Sequence, residues 1–341
     1  MLRLAEVTTL RLGGPTARVV EAGTQAELVA AVRAADTAGE PLLLVGGGSN
    51  LVVADEGWPG VTVLIRGSDV TVRTDGPDVL VRAAAGTDWD EFVTRAVDEG
   101  WAGIECLSGI PGLTGATPVQ NVGAYGQDVA QTVTDVAVWD RQADRIAVRS
   151  AADCEFGYRT SLFKHTDRYV VLEVGFRLRA GGTSGPVRYA ELAQRLSADD
   201  GVPLAAVREA VLALRRGKGM VLDAADHDTW SAGSFFTNPI LSETELAAFE
   251  ARLPAGTAYP SWPDRGGRKL SAAWLIERAG FGKGYGGEAV RLSGKHTLAL
   301  TNRGAATTME LLTLARTVRD GAREAFGIEL RAEPTLVNCH L

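Results

Sequence analysis

The chain has 341 residues, 45% of them apolar, which is long for a single core and suits two or three globular domains. Its 35 basic and 42 acidic residues leave a net charge of -7, which excludes the basic footprint of a nucleic-acid-binding protein; a phosphorylated ligand must be met by a few locally placed cations. Cys106, Cys154 and Cys339 have no ligand spacing, and no stretch of about 18 apolar residues occurs, so neither a disulfide framework, a metal site nor a membrane span is expected and the protein reads as cytoplasmic.

Along the chain, Thr24 and Glu27 open an expected capping box, and Leu28, Val29, Val32 and Ala35 recur at helical spacing until Gly39, predicting a helix over 24–39. A short apolar strand, 42–45, runs into Gly46, Gly47, Gly48, Ser49 and Asn50. This turn lacks the G-x-G-x-x-G spacing and the following helix of a dinucleotide fingerprint, so that reading is rejected. Strands are predicted at 61–65, 69–73 and 79–83, then a helix from Thr87 to Gly100 with Trp89, Phe92, Val93, Ala96 and Val97 on one face. Further strands are expected at 132–140 and 168–179, a linker at 180–186, a helix at 204–216 and a long aperiodic loop to 239. Helices near 269–279 and 307–326, a strand near 297–301 and a polar tail complete the chain. Alternating strands and helices in unequal lobes indicate an α+β protein of several domains.

Residues 103–128, GIECLSGIPGLTGATPVQNVGAYGQD, carry six glycines and two prolines and must form a shaped loop. Gly109, Gly112, Gly115, Gly123 and Gly126 alternate with Gln120, Asn121 and Tyr125. Successive free N–H groups in such turns form an anion-binding nest, and a phosphate is the natural guest. Any single Gly-x-x-Gly in a glycine-rich chain only makes a turn, whereas the whole string with its amide side chains is costly unless something binds there.

Three other constellations can carry chemistry. In GYRTS, Tyr158 and Arg159 stand beside two hydroxyls, and Arg159 can fork onto a carboxylate or phosphate or equally form a structural ion pair. In AGSFFTNP, Ser234 precedes two phenylalanines; it is not in a hydrolase elbow and reads alone as a turn serine. Glu333 lies in the C-terminal tail and matters only if that tail folds back into a site.

Together GGGSNLV, SGIPGLTGATPVQNVGAYGQD, FGYRTSLFK, AGSFFTNP, AAWLIERAG with GKGYGG, and the terminal AEP resemble the UDP-N-acetylenolpyruvoylglucosamine reductase family over nearly the full chain. The resemblance implies a two-lobed FAD-binding unit of the vanillyl-alcohol-oxidase type, residues 1–67 and 68–215, with a third α+β substrate-binding domain at 216–341. It implies noncovalent FAD held by Gly46, Gly47, Gly48, Ser49, Asn50 and Leu51 and by Gly109, Ile110, Pro111, Gly112, Gly115, Ala116, Thr117, Gln120, Asn121, Gly123, Ala124, Tyr125 and Gly126. NADPH and UDP-N-acetylglucosamine enolpyruvate are the implied partners of a monomer.

The resemblance further implies that Arg159 and Glu333 stabilise charge on the substrate carboxylate while Ser234 gives a proton to C2 after hydride reaches C3. Glu333 then carries a proton, since two ionised carboxylates would repel. Tyr158, Tyr189, Lys218 and Asn238 are the implied substrate contacts, Tyr189 in RYAEL marking the class with a substrate-capping tyrosine loop. Thr237 departs from the lysine of many relatives, and the loop before Ser234 is longer than in some. An oxidase of the same fold, or a flavin or UDP-sugar binder without turnover, are the competing readings.

Overall fold

A computed structural model describes residues 2–198 and 200–341. The chain forms two compact units, one from Thr16–Gly48 and Pro59–Val221, the other from Leu2–Pro15, Ser49–Trp58 and Leu222–Leu341.

Among the described residues the first unit holds, besides a short two-stranded hairpin, two sheets. In the smaller, Trp58–Ile65 lies between Thr16–Ala22 and Leu42–Val45, running parallel to the latter with Leu42 opposite Val61. The helix Gln25–Ala38 buries Leu28, Val32 and Ala35 in one cluster with Ala22, Val61 and Val63. Thr24 accepts from the Glu27 N–H at 3.2 Å, but the Glu27 carboxylate takes the Gly23 N–H at 2.8 Å. The expected box is therefore shifted by one residue on its carboxylate side.

In the larger sheet the order is Arg145–Ser150, Val133–Asp140, Tyr169–Ala180, Asp78–Ala84, Val70–Asp75, all antiparallel. Trp101–Ala102 pairs with the far end of the 12-residue central strand. Strict alternation along Asp78–Ala84 turns Val79, Val81 and Ala83 inward, where the helix Trp89–Asp98 covers them with Trp89 and Phe92. Phe92 and Phe176 pack at a tilt with centroids 5.3 Å apart, so Phe92→Ala would leave a cavity costing about 3–5 kcal/mol. The helices Ala190–Leu196 and Leu204–Gly217 form a satellite cluster around Leu192, Val207 and Val211.

The second unit packs the helix Thr308–Phe326 through Leu311, Leu312, Ala315 and Val318 onto the apolar face of Ala272–Arg278 and onto Phe235 and Phe236. Thr307 and Glu310 close a full capping box at its start, and Asp55 accepts from the Thr308 and Met309 N–H groups at 2.8 and 3.0 Å. Leu51–Val53 pairs in parallel with Thr335–Val337. The strand expected at 297–301 is Leu300–Asn302, in a hairpin with Val290–Leu292.

Candidate active site

The glycine-rich loop of the first unit is stitched to the end of strand Asp78–Ala84. Gly115 N–H donates to the Ala85 carbonyl at 2.9 Å, Thr114 N–H to Thr87 at 2.8 Å, and Trp89 N–H to the Gly112 carbonyl at 3.1 Å. The N–H groups of Ala116, Thr117, Asn121 and Val122 are likewise satisfied within the loop. The nest expected over the whole loop therefore narrows, because these groups already have acceptors.

What the loop does offer is close backbone approach. A Cβ on Gly47 would lie 2.7 Å from the Gly112 Cα, and one on Gly46 3.3 Å from Leu113 Cδ1. Gly47, in the turn after Leu42–Val45, and Gly112 thus lie backbone against backbone, with Gly46 packed on the Leu113 side chain. Only glycine fits there, which makes the pair a narrow-walled cradle suited to a nucleotide's phosphate and sugar. Gly48 belongs to the same turn, while Ser49, Asn50 and Leu51 belong to the second unit, where Leu51 opens the strand paired with the tail.

Farther along, Gly123–Ala124 pairs with Gln127–Asp128, and the two residues between them, Tyr125 (φ 50°) and Gly126 (φ 87°), make the turn that such a two-residue hairpin demands. The buried Asn121 clamps this region: its Nδ2 donates to the Gly157 carbonyl at 3.1 Å and its Oδ1 accepts from the Ala130 N–H at 3.1 Å. Gln120 precedes it on the half-buried rim.

Asn121 thereby joins the loop to the turn of Tyr158 and Arg159. Gly157 and Thr160 bridge each other, Ser161 Oγ donates to the Val119 carbonyl at 2.7 Å, and Lys164 Nζ donates to the Arg159 carbonyl at 2.9 Å. Arg159 itself sits at φ 52°, a left-handed conformation that is costly for a long side chain and is held here by its surroundings. Its Nη2 donates to the Gly123 carbonyl at 3.1 Å, and its guanidinium lies 5.7 Å from the Tyr158 ring. Asp128 nearby has its pKa raised by burial, against the opposing pull of Gln131 and Arg159.

At the hairpin tip Tyr125 meets Tyr189 edge to face at 5.1 Å. Lys218, at the end of the helix Leu204–Gly217, places its Nζ 5.7 and 5.9 Å from these two rings and 2.7 Å from Glu191 Oε2. Burial alone would lower the ammonium's pKa; the Glu191 hydrogen bond and the neighbouring tyrosines outweigh it, and the net shift is upward.

Sequence reasoning missed the cations under this loop. Arg208, Leu212 and Arg215 fall at positions i, i+4 and i+7 of one helix, two guanidiniums on an otherwise apolar stripe, which is a readable signal. Arg208 forks onto Asp90 at 2.6 and 2.9 Å, and Asp90 accepts the Gly109 N–H at 2.6 Å. Arg215 is 9% exposed, donates from Nη2 to the Met220 carbonyl at 2.7 Å, and has its pKa lowered by burial.

In the second unit, the segment after Ser234 runs antiparallel to the tail. Glu333 N–H donates to the Phe235 carbonyl at 2.8 Å, Thr237 N–H to Arg331 at 3.0 Å, and Phe236 bridges Ala332. Asn50 Nδ2 reaches the Glu333 carbonyl at 3.5 Å, and Thr335 N–H donates to the Asn50 carbonyl at 2.9 Å. The tail does fold back: the Glu333 backbone lies beside that of Phe235, the residue after Ser234, and within reach of Asn50. Phe235 and Phe236 are 1% exposed and anchor it. Asn238 Oδ1 accepts from the Ala272 N–H at 2.9 Å. A separate groove of about 940 Å³, lined by Tyr285, Val290, Met309, Glu310 and Leu314 among others, contains none of the expected site residues. Among the described residues no cluster of metal-ligating side chains occurs, and no helix is long and apolar enough to cross a membrane.

Comparison with known proteins follows this division. A family described as "FAD binding domain" matches residues 16–147, and one described as "UDP-N-acetylenolpyruvoylglucosamine reductase, C-terminal domain" matches residues 225–337. The UDP-N-acetylenolpyruvoylglucosamine reductase of Thermobifida fusca is 58% identical over 99% of this chain and 97% of that protein. That of Saccharopolyspora erythraea is 58% identical over 99% of this chain and 95% of its own length. The crystal structure of the Thermus caldophilus UDP-N-acetylenolpyruvylglucosamine reductase superposes with a TM-score of 0.67 at 23% identity, covering 98% of this chain and 97% of that one, and speaks for the fold.

Proposed function

The chain belongs to the UDP-N-acetylenolpyruvoylglucosamine reductase family, and we propose that it uses FAD and NADPH to reduce UDP-N-acetylglucosamine enolpyruvate to UDP-N-acetylmuramate, in peptidoglycan precursor synthesis. The observation that supports this reading beyond the family likeness is the backbone pairing of 235–237 with 331–333, which brings the chain just after Ser234 alongside Glu333 within one unit.

FAD, when bound, supplies the hydride acceptor for NADPH and the hydride donor for the enolpyruvyl double bond. The glycine turns at 46–48 and 109–126 hold the nucleotide, and their close backbone approach supports that fit. Arg159 grips the substrate carboxylate with its fork, and its constrained backbone supports a preorganised role. Ser234 Oγ gives its proton to C2, a transfer worth about 10²- to 10⁴-fold when well placed. Glu333, protonated at that moment, donates to the carboxylate oxygen on which charge accumulates. Lys218 counters the diphosphate, Tyr189 covers it, and Tyr158 and Asn238 complete the contacts. The two sheets of the first unit correspond to two FAD-binding lobes, and the enzyme acts as a cytoplasmic monomer.

The test is NADPH consumption that depends on added UDP-N-acetylglucosamine enolpyruvate and persists without oxygen. Consumption that needs oxygen and ignores the sugar would mean an oxidase and overturn the reading.

A further inference from the structure

We infer that Glu191 is a positioning residue that occupies the Lys218 ammonium until the diphosphate of the UDP sugar replaces it. The inference rests on the reading above that Lys218 meets that diphosphate. Three observations within the first unit carry it. First, Lys218 Nζ is engaged by a carboxylate, Glu191 Oε2 at 2.7 Å, so an incoming anion meets a cation that already has a counter-ion. Second, Tyr189 and Glu191 sit at the two ends of one three-residue stretch opening the helix Ala190–Leu196, so the ring that covers the ammonium and the carboxylate that neutralises it move together. Third, this stretch rests on the hairpin tip: a Cβ on Gly126 would lie 3.1 Å from Arg188 Cβ and 3.5 Å from Tyr189 N.

The pair is poised for exchange. Its side chains remain 31% and 46% exposed, and such ion pairs hold only weakly. A diphosphate brings more charge and several acceptor oxygens, and outbids a single carboxylate for the same ammonium. When it does, segment 189–191 loses its ionic tie to the helix end and is freed to settle over the ligand. An ion pair that served folding alone would give the opposite sign on mutation, because its loss would loosen the site and weaken ligand binding.

Calorimetric titration of the FAD-loaded full chain with UDP, and separately with NADP, distinguishes these outcomes. Glu191→Gln is expected to tighten UDP binding roughly two- to fivefold, the equivalent of releasing a pair worth up to about 1 kcal/mol. Glu191→Asp keeps the competing charge and stays near the wild-type affinity. In a Lys218→Gln background the tightening vanishes, as a double-mutant cycle requires of a direct competition. Unchanged or weaker UDP binding in Glu191→Gln, a tightening that survives without Lys218, or one confined to NADP overturns the inference. A Lys218→Gln variant that binds UDP as well as wild type instead removes the underlying assignment of Lys218.

Discussion

Replacing Gly47 with alanine isolates the backbone contact that shapes the cradle. The φ of Gly47 lies outside the left-handed region, so alanine brings no backbone strain there; the whole cost is the added methyl. That methyl would stand 2.7 Å from Gly112 Cα, 3.3 Å from its carbonyl carbon and 3.4 Å from its nitrogen, where ordinary contact begins at 3.4 Å. One of the two turns must therefore retreat by about 0.7 Å, and neither can rotate a side chain away. Overpacking of this kind costs about 1–3 kcal/mol, which appears as lost stability if the loops stay, or as a roughly 5- to 150-fold weaker FAD affinity if they part. Flavin fluorescence titration of the apoprotein, with denaturant unfolding of the same sample, reads both terms. Gly185→Ala, with nothing within 4 Å of the added methyl, is the matched control and should be neutral. A Gly47→Ala protein with wild-type FAD affinity and a wild-type unfolding midpoint would refute the reasoning.

Ser234→Ala should keep rapid loss of flavin absorbance on adding NADPH and slow its recovery by the enolpyruvyl sugar about 10²- to 10⁴-fold; stopped-flow traces with normal recovery would end the proton-donor role. Asn121→Ala takes the Ala130 N–H's partner away, at roughly 1–3 kcal/mol, and leaves the Gly157 carbonyl only its longer bond from the Thr160 N–H, and should lower the denaturant midpoint and the retention of FAD together. Hydrogen bonds from Arg168, then from the Ala143 and Gln142 N–H groups, hold the Asp140 carboxyl down at about 2 against an ordinary 3.8. Its contribution is thus complete above the ordinary value and lost as pH falls through about 2. Thermal melts should show Asp140→Asn below wild type at neutral pH, with the gap closing across that acid window.

The longer helices and the central strands were legible, because Leu28, Val32 and Ala35, or Trp89, Phe92 and Val93, repeat at the helical period and end in glycine or a capped turn, whereas the short helices Ala190–Leu196 and Glu243–Glu250 were not foreseen. The strands Thr16–Ala22 and Arg145–Ser150 escaped notice since both lie at sheet edges and carry exposed charged residues that blur alternation. Of the site, the glycine loop and the GYRT turn stood out by composition. Their union through Asn121 did not, as one amide bridging 36 residues leaves no periodic trace. The tail was recognisable as conditional: Glu333 gains meaning from its N–H bond to Phe235, a pairing 98 residues apart in sequence that only the folded chain reveals. Glu191 and Arg215 were passed over because charged residues on helices ordinarily face water.

The second unit gathers its parts from both ends of the chain. The Leu10 carbonyl accepts from Asn302 Nδ2 at 3.0 Å, Leu10, Leu12 and Val52 share a core with Phe235 and Leu311, and strand Leu51–Val53 has Thr335–Val337 as its neighbour. During translation the early segments must therefore wait for partners nearly 300 residues later, roughly a quarter of a minute to a minute at usual elongation rates. Strand Thr335–Val337 is the clasp of this unit. Ribosomal stalling or proteolytic loss near the C-terminus would leave apolar residues 10, 12 and 52 uncovered, an invitation to chaperones and quality-control proteases long before any question of activity arises.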